Sequence, residues 1–519
     1  MKTHKTILFL STLVISIGLA AQPIRFQRTY GSTTNDWGLA RPVSDGGYIM
    51  LMDDVTNPSL RDIALMKLDS VGNIVWKKTY ANTSATDDSW NYAIEAYNGG
   101  YLVSGVLNVN TGTPISVWIR TDSYGDTLWV KKGLGGHNLT KTVDGGYAEV
   151  SFNLMKTDSF GNIQWFKTYT GASGPSYGGY CADKGYIILG ETVQFSSGGS
   201  GDQDFYIIKA DSNGNVQWTK VLGGPTSIEY AADIVQATDG GYLALGYSNG
   251  YGAGSWDIIA IKLDPSGNVQ WIKTYGGANG DWAVDVSVTG AIGYIITGYT
   301  SGFESLQNSF RSFLLRIDGS GNPLWSKMYG DIQNNPMNSS DEAAYIYNAS
   351  DGGFLMSGAT QNFGAGGYDT WLIKTDPLGV SGCNEANTNP TVTNPVLVIG
   401  TGGTSIAVPA ASSPVTVAIG SWQPQTSILC LSGPPPVGVE DNNRTDIAIY
   451  PNPFSSTFTI KAKTGAELAL YDMLGKEQGR WKLDVGENTI RPDKLEAGLY
   501  FYRVVSENGT ISSGKLIAE

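Results

Sequence analysis

Residues 257–264 read Asp-Ile-Ile-Ala-Ile-Lys-Leu-Asp, an almost unbroken apolar run of strand length, and a matching run stands at Asp369-Thr-Trp-Leu-Ile-Lys-Thr-Asp376. Runs of this kind suit strands covered on both faces. Around the first of them, Ala231 to Thr238 forms a short apolar strand, Asp239-Gly-Gly turns it, and Tyr242 to Tyr247 returns antiparallel. A polar, glycine-rich loop leads through Ser255 into the third strand. Pro265-Ser-Gly-Asn268 then turns the chain into a fourth strand, Val269 to Tyr275, which carries Trp271. The pattern predicts a unit of four antiparallel strands. Its turn has a mechanism: Asp or Asn before Gly-Gly bonds its own backbone, and glycine accepts positive φ, so the hairpin closes without strain.

The unit repeats. Its turn recurs at Asp45-Gly-Gly-Tyr48, Asn98-Gly-Gly-Tyr101, Asp144-Gly-Gly-Tyr147, Asp183-Lys-Gly-Tyr186, Asp239-Gly-Gly-Tyr242, Ala291-Ile-Gly-Tyr294 and Asp351-Gly-Gly-Phe354. Between turns a second signature, Asp-x-x-Gly-x-x-x-Trp, recurs at Asp69/Gly72/Trp76, Asp122/Gly125/Trp129, Asp158/Gly161/Trp165, Asp211/Gly214/Trp218, Asp264/Gly267/Trp271 and Asp318/Gly321/Trp325. The mean period of about 51 residues is that of four-stranded propeller blades. The recurring Trp reads as a packing device between blades. The last repeat breaks after Gly379, with Cys383 where Trp belongs. Phe26-Gln-Arg-Thr-Tyr30-Gly31 matches Trp271-Ile-Lys-Thr-Tyr275-Gly276 in register, so residues 24–30 are expected to supply the outer strand of the last blade. The predicted fold is all-β: a seven-bladed β-propeller over 22–382 closed by an N-terminal strand, which removes two exposed edges.

Composition agrees with short strands and tight turns, since 67 of 519 residues are Gly, 28 are Tyr and only 16% are charged. The net charge of −13 repels phosphate backbones, so no nucleic-acid partner is expected. Lys2 and Lys5 precede the apolar run Ile7 to Leu19 and then Ala20-Ala21, which reads as a cleaved secretory signal over 1–21. No Cys follows that run to carry a lipid. Cys383 and Cys430 flank one compositionally distinct segment and are a candidate disulfide, and Cys181 reads as a small buried residue.

Residues 383–445, rich in Thr and Pro and ending near Gly433-Pro-Pro-Pro-Val, read as a strand-bearing linker. From Ile447 short alternating strands return, enough for a small β-sandwich over 446–519. The Lys-x-Asp-x-x-Gly-Asn-x-x-Trp repeats resemble bacterial seven-bladed propeller repeats and, more distantly, quinoprotein-type blades. The tail, with Tyr450-Pro-Asn-Pro, Tyr471-Asp472, Ala497-Gly-Leu-Tyr500 and Gly514-Lys-Leu516, resembles the type IX secretion C-terminal sorting domain of Bacteroidetes. That resemblance implies passage through the periplasm, recognition of residues 446–519 by the type IX translocon, and a secreted or outer-membrane-surface protein.

Chemistry is sparse. The histidines are His4, within the leader, and His137, which follows Gly135-Gly136 and reads as a turn residue rather than a catalyst. One mature histidine excludes sites that need two. No Asp-x-Asp-x-Asp loop, phosphate-cradling glycine motif or metal-spaced cysteine pair occurs, so neither a cofactor nor a metal is expected. An acid precedes the turn by nine or ten positions in five repeats, at Asp36, Asp88, Glu229, Asp281 and Asp341, with Trp37, Trp90 and Trp282 beside three of them. If each begins an innermost strand, these eight residues form an acidic, aromatic rim for a sugar, a cation or a basic peptide. The competing reading is that each acid caps a turn and recurs because the repeat does. The expected role is therefore a monomeric binding or scaffold module for a glycan, cation or protein ligand. The alternative is a secreted polysaccharide hydrolase or lyase using rim carboxylates, against which repetition itself counts, because catalysis needs two unlike environments.

Overall fold

The computed structural model describes residues 23–57, 60–81, 88–109, 114–134, 136, 138–198, 201–290, 293–303, 309–332, 339–407, 413–414, 418–420, 425–432, 449–450, 454, 456, 457–462, 464–472, 476–492, 495, 498–506 and 511–518. The expected leader, His137 and the Pro-Asn-Pro of the tail lie outside them. The chain divides into two compact units, one ending at Pro434 and the other beginning at Pro435.

Among its described residues the first unit is all-β, with seven five-stranded antiparallel sheets. Sheet five shows the plan. Glu229–Gln236, Tyr242–Ser248, Asp257–Leu263 and Val269–Gly276 follow in order, and the third of these is buried along its whole length, as its apolar run requires. Sheet seven combines Asp341–Asn348, Phe354–Thr360 and Asp369–Thr375 with Arg25–Gly31, whose Phe26 pairs with Lys374 and Tyr30 with Thr370. The first strand of each sheet lies against the first strand of the next, and Asp341–Asn348 lies against Gly38–Pro42 of sheet one.

The repeat signatures are joints. Asp239 Oδ1 accepts the Gly241 N–H across the turn and receives the buried Lys262 ammonium, which also donates to Leu263 O. The same Lys–Asp pair recurs at Lys67/Asp45, Lys156/Asp144, Lys209/Asp183 and Lys374/Asp351. Where the turn lacks its Asp, at Asn98 and Ala291, an arginine replaces the lysine and donates to turn carbonyls instead: Arg120 to Tyr97 and Gly99, Arg316 to Thr289 and Tyr294. The second signature joins neighbouring sheets. Trp76, Trp129, Trp165, Trp218, Trp271 and Trp325 each cover the Asp-x-x-Gly glycine of the following repeat, where a Cβ would meet the indole at 2.7–3.0 Å. Tyrosines at the ends of fourth strands donate to the same glycines: Tyr80 to Gly125 O, Tyr169 to Gly214 O, Tyr275 to Gly321 O and Tyr329 to Gly379 O. Tyr30 of sheet seven makes this bond to Gly72 O of sheet one at 2.5 Å.

Residues 383–432, which read as a linker, carry the largest departure from expectation. Glu385–Asn387, Thr391–Thr393, Val398–Gly400, Ser405–Ala407, Ser413–Pro414, Ala418–Gly420 and Gln425–Ser432 become the fifth strands of sheets six, five, four, three, two, one and seven in turn. Arg25–Gly31 is therefore not outermost but lies between Asp369–Thr375 and Gln425–Ser432. Cys383 and Cys430 form a disulfide, Cα atoms 6.0 Å apart, that ties the start of this belt to its end. The backbone edges left by seven fourth strands are thereby paired, which suppresses edge-to-edge association. Cys181 is buried, and burial pushes its thiol up to about 12.

The second unit packs a three-stranded sheet (Ile449–Tyr450, Phe458–Ala462, Gly486–Ile490) with a four-stranded one (Glu477–Leu483, Ala466–Tyr471, Gly498–Ser506, Ile511–Ala518). Phe454, Phe458, Ile460, Leu468, Leu470, Tyr500, Val504 and Leu516 form its core. Period-two alternation is plain in Phe458–Ala462, as the sequence pattern requires.

Candidate functional site

The five acids foreseen as a rim are each buried. They lie at the junctions between sheets, and none of the eight foreseen residues lines the cavity described below. Asp281 Oδ2 accepts the Gly277 N–H, and its other oxygen takes the Thr300 hydroxyl and the Gly302 N–H. Glu229 accepts from Ser248, Asp88 from the Asn108 N–H, Asp36 from Ser32, and Asp341 from Thr360 and Asn362. Trp37 packs on Tyr368 at 4.8 Å and Trp282 stacks on Tyr299 at 5.4 Å, while Trp90 packs in the core between sheets one and two.

A second acid meets three of these. A Cβ on Gly276 would strike Asp257 Oδ1 and lie 3.0 Å from Asp281 Oδ2. The same point beside Gly223 is shared by Asp204 Oδ1 and Glu229 Oε2, and Asp369 Oδ1 fills the corresponding place beside Gly31, where its carboxyl feels the charge of Asp36. Asp204 Oδ1, Glu229 Oε2 and Asp257 Oδ1 receive no other donor. Two facing carboxyls removed from water resist ionising together, so such pairs hold a proton to higher pH than free carboxyls do. Burial, with the neighbouring carboxylate adding to it, pushes Asp281 and Glu229 up to about 7 and Asp369 up to about 6. At the fourth junction, beside Gly330, the third strand supplies Arg311 in place of the second acid. It meets Asp341 at 3.6 Å with both side chains buried. The chain thus places positive charge or a proton opposite the acid at each of the four.

A cavity of about 550 Å³ is lined by the first strands or their leading residues in all seven sheets. Bulges in these strands, between Trp90 and Tyr92, Ala231 and Asp233, Ala283 and Asp285, and Ala343 and Tyr345, turn the following residue inward. Tyr92, Asn138, Tyr177, Asp233, Asp285 and Tyr345 occupy one equivalent position, six residues before each turn, and each lines the cavity. In sheet one that position is Leu39, and Arg41 two residues later supplies the lining.

Asp233 and Asp285 are adjacent and hydrogen-bonded to each other. Burial raises both, and the charge of Asp233 raises Asp285 well above the ordinary range, with Arg41 opposing. Asp285 Oδ2 accepts the Ile346 N–H at 2.7 Å, and Val286 N–H points at both acids. Arg41 lines the same cavity, its guanidinium 3.7 Å over the Tyr92 ring and 4.9 Å from the Tyr347 ring, with Nε donating to the Tyr347 hydroxyl at 2.7 Å. It forms no ion pair among the described residues. The cavity therefore offers a fixed cation, a hydrogen-bonded carboxyl pair, an amide and several phenol rings. No group of three or more metal-ligating side chains occurs among the described residues.

The repeat pattern drew attention to residues that recur, whereas the cavity is lined by the position that varies. Alignment of the repeats on their turns exposes it: Leu39, Tyr92, Asn138, Tyr177, Asp233, Asp285 and Tyr345 mix three phenols, two acids, an amide and an aliphatic side chain at one position.

Residues 448–519 match the family described as the secretion system C-terminal sorting domain. This tail marks the chain for handling by the type IX secretion system and for release to the cell surface or outside. No curated protein matches the chain. Among solved structures it is similar to a eukaryotic initiation factor at 9% identity, covering 69% of this chain and 99% of that one with a TM-score of 0.33. It is also similar to the extracellular domain of a hybrid two component system from B. thetaiotaomicron, at 11% identity over 92% and 74% of the two chains with a TM-score of 0.18. Similarity at these scores carries no argument about fold or role.

Proposed function

We propose that the first unit is a closed seven-bladed β-propeller, sealed by Arg25–Gly31, that acts outside the cell as a binding module for a glycan seated in its central cavity. The exported tail delivers it. The Tyr30–Gly72 bond, which repeats the inter-sheet joint between sheets seven and one, supports closure. The observation that carries the binding role is a cavity to which all seven repeats contribute, six of them through one equivalent position that holds Tyr, Asn or Asp. Repeats that served packing alone have no reason to diverge there. Aromatic faces beside planar polar side chains are suited to sugar rings, which present apolar faces and hydroxyl edges together. The test is a glycan array probed with the full chain, beside Tyr177→Ala/Tyr345→Ala. Saccharide binding lost in the double variant, with unchanged thermal unfolding, is the expected result. Binding that survives the substitutions, or no saccharide binding at all, would count against the cavity as a glycan site.

A further inference from the structure

Among the charged side chains in the cavity wall, Arg41 combines several unused donors with a fixed position. Guanidinium has five N–H donors in a rigid fork, and one is spent on Tyr347. The flat faces are occupied by Tyr92 and Tyr347, which hold the group without neutralising it. Both Nη atoms remain, in a protein whose net charge is −13 and in which Arg25, Arg61, Arg120, Arg311 and Arg316 meet carbonyls or carboxylates. A half-buried cation with no direct ion pair among the described residues, beside a cavity, leaves a place for a ligand anion, and the planar fork matches a carboxylate in bidentate fashion.

The two acids of the cavity wall restrict what accompanies that carboxylate. Asp285 is committed to the Ile346 N–H and to Asp233, and Asp233 points toward the Val286 N–H, so the pair has little capacity left for a full ligand cation. It suits hydroxyl groups, which both donate and accept, and Asn138 suits them for the same reason. A ligand joining a carboxylate to hydroxyls and an apolar ring face is a sugar acid.

Resting on the glycan reading above, we infer that the central cavity is selective for acidic saccharides, with a uronate carboxylate paired to Arg41. The charge is decisive in this account, and the hydroxyl contacts orient the ring.

Titration calorimetry on the full chain separates the terms, using an oligogalacturonide, its methyl ester and a neutral oligosaccharide of equal length. The methyl ester removes only the ligand charge and leaves the protein untouched. The acidic oligomer is expected to bind at least 10-fold more tightly than either neutral partner, with the advantage shrinking as salt rises. Arg41→Gln should erase that advantage, and Arg41→Lys should restore only part of it because ammonium lacks the fork. Equal binding of acid and ester would overturn the acidic preference while leaving glycan binding intact. Binding of free amino acids or simple carboxylates in place of saccharides would overturn the ligand class. Failure of every saccharide would remove both this inference and the reading on which it rests.

Discussion

Replacing Asp257 by asparagine tests the proton-sharing junctions. Asp257 Oδ2 accepts the Ala253 and Gly254 N–H groups, while Oδ1 faces Asp281 with no other donor. An asparagine carbonyl can take over both backbone bonds, and its amide then donates to Asp281 at the place where the shared proton sits. The substitution converts a titrating contact into a permanent one. Burial, then the charge of Asp257, pushes Asp281 up to about 7 from an unperturbed value near 3.9. The native state therefore keeps a proton that the unfolded chain releases. The stability this contributes is complete below pH about 4 and lost as pH rises through about 7. Three pKa units set a ceiling of about 4 kcal/mol for that loss, and a hydrogen bond to a charged group restores about 1.5–3 kcal/mol. Urea unfolding of the unaltered chain and Asp257→Asn at pH 5 and pH 8.5 reads both terms. The variant should be within about 1 kcal/mol of the unaltered chain at pH 5 and about 1–3 kcal/mol more stable at pH 8.5. A variant less stable at pH 8.5, or an unaltered chain equally stable at both values, would refute the shared proton.

Tyr275→Phe removes the hydroxyl donated to Gly321 O at 2.6 Å and should cost about 1–2 kcal/mol in urea unfolding, because the buried carbonyl loses its donor; a neutral result would show that the joint is dispensable. Gly321→Ala combines a φ of +76° with a Cβ 2.9 Å from Trp271, so about 2–4 kcal/mol of destabilisation is expected with an altered tryptophan spectrum, and retention of both would contradict the Trp–Gly contact. Cys383→Ser/Cys430→Ser opens a loop with a sequence separation of 47, worth about 4 kcal/mol in the chain-entropy model, and should expose residues 385–432 to limited proteolysis; an unchanged digestion pattern would show that strand pairing alone holds the belt.

The sheets were legible because their turns and joints use particular chemistry. Asp before Gly-Gly, the Lys that reaches back to it and the Trp above a glycine all leave marks in the sequence. Phe26 to Gly31 could be matched to Trp271 to Gly276 because both run as fourth strands against the same kind of neighbour. The belt left no comparable mark. Val398–Gly400 pairs through its backbone while Val398 and Ile399 stay about half exposed, so no apolar alternation distinguishes such segments from a linker. Recurrence pointed to the junctions between sheets rather than to the cavity. Asp281 and Glu229 belong to an acid that recurs in five repeats, whereas Asp233 and Asp285 share their position with three Tyr, one Asn and one Leu, and Arg41 stands two residues beyond it.

Amide hydrogen exchange on Arg25–Gly31 tests the closed ring most directly. A strand held between Asp369–Thr375 and Gln425–Ser432 should exchange as slowly as the buried Asp257–Leu263, with protection lost only when the whole unit unfolds. Exchange at the rate of a frayed terminus, while Asp257–Leu263 stays protected, would contradict the ring.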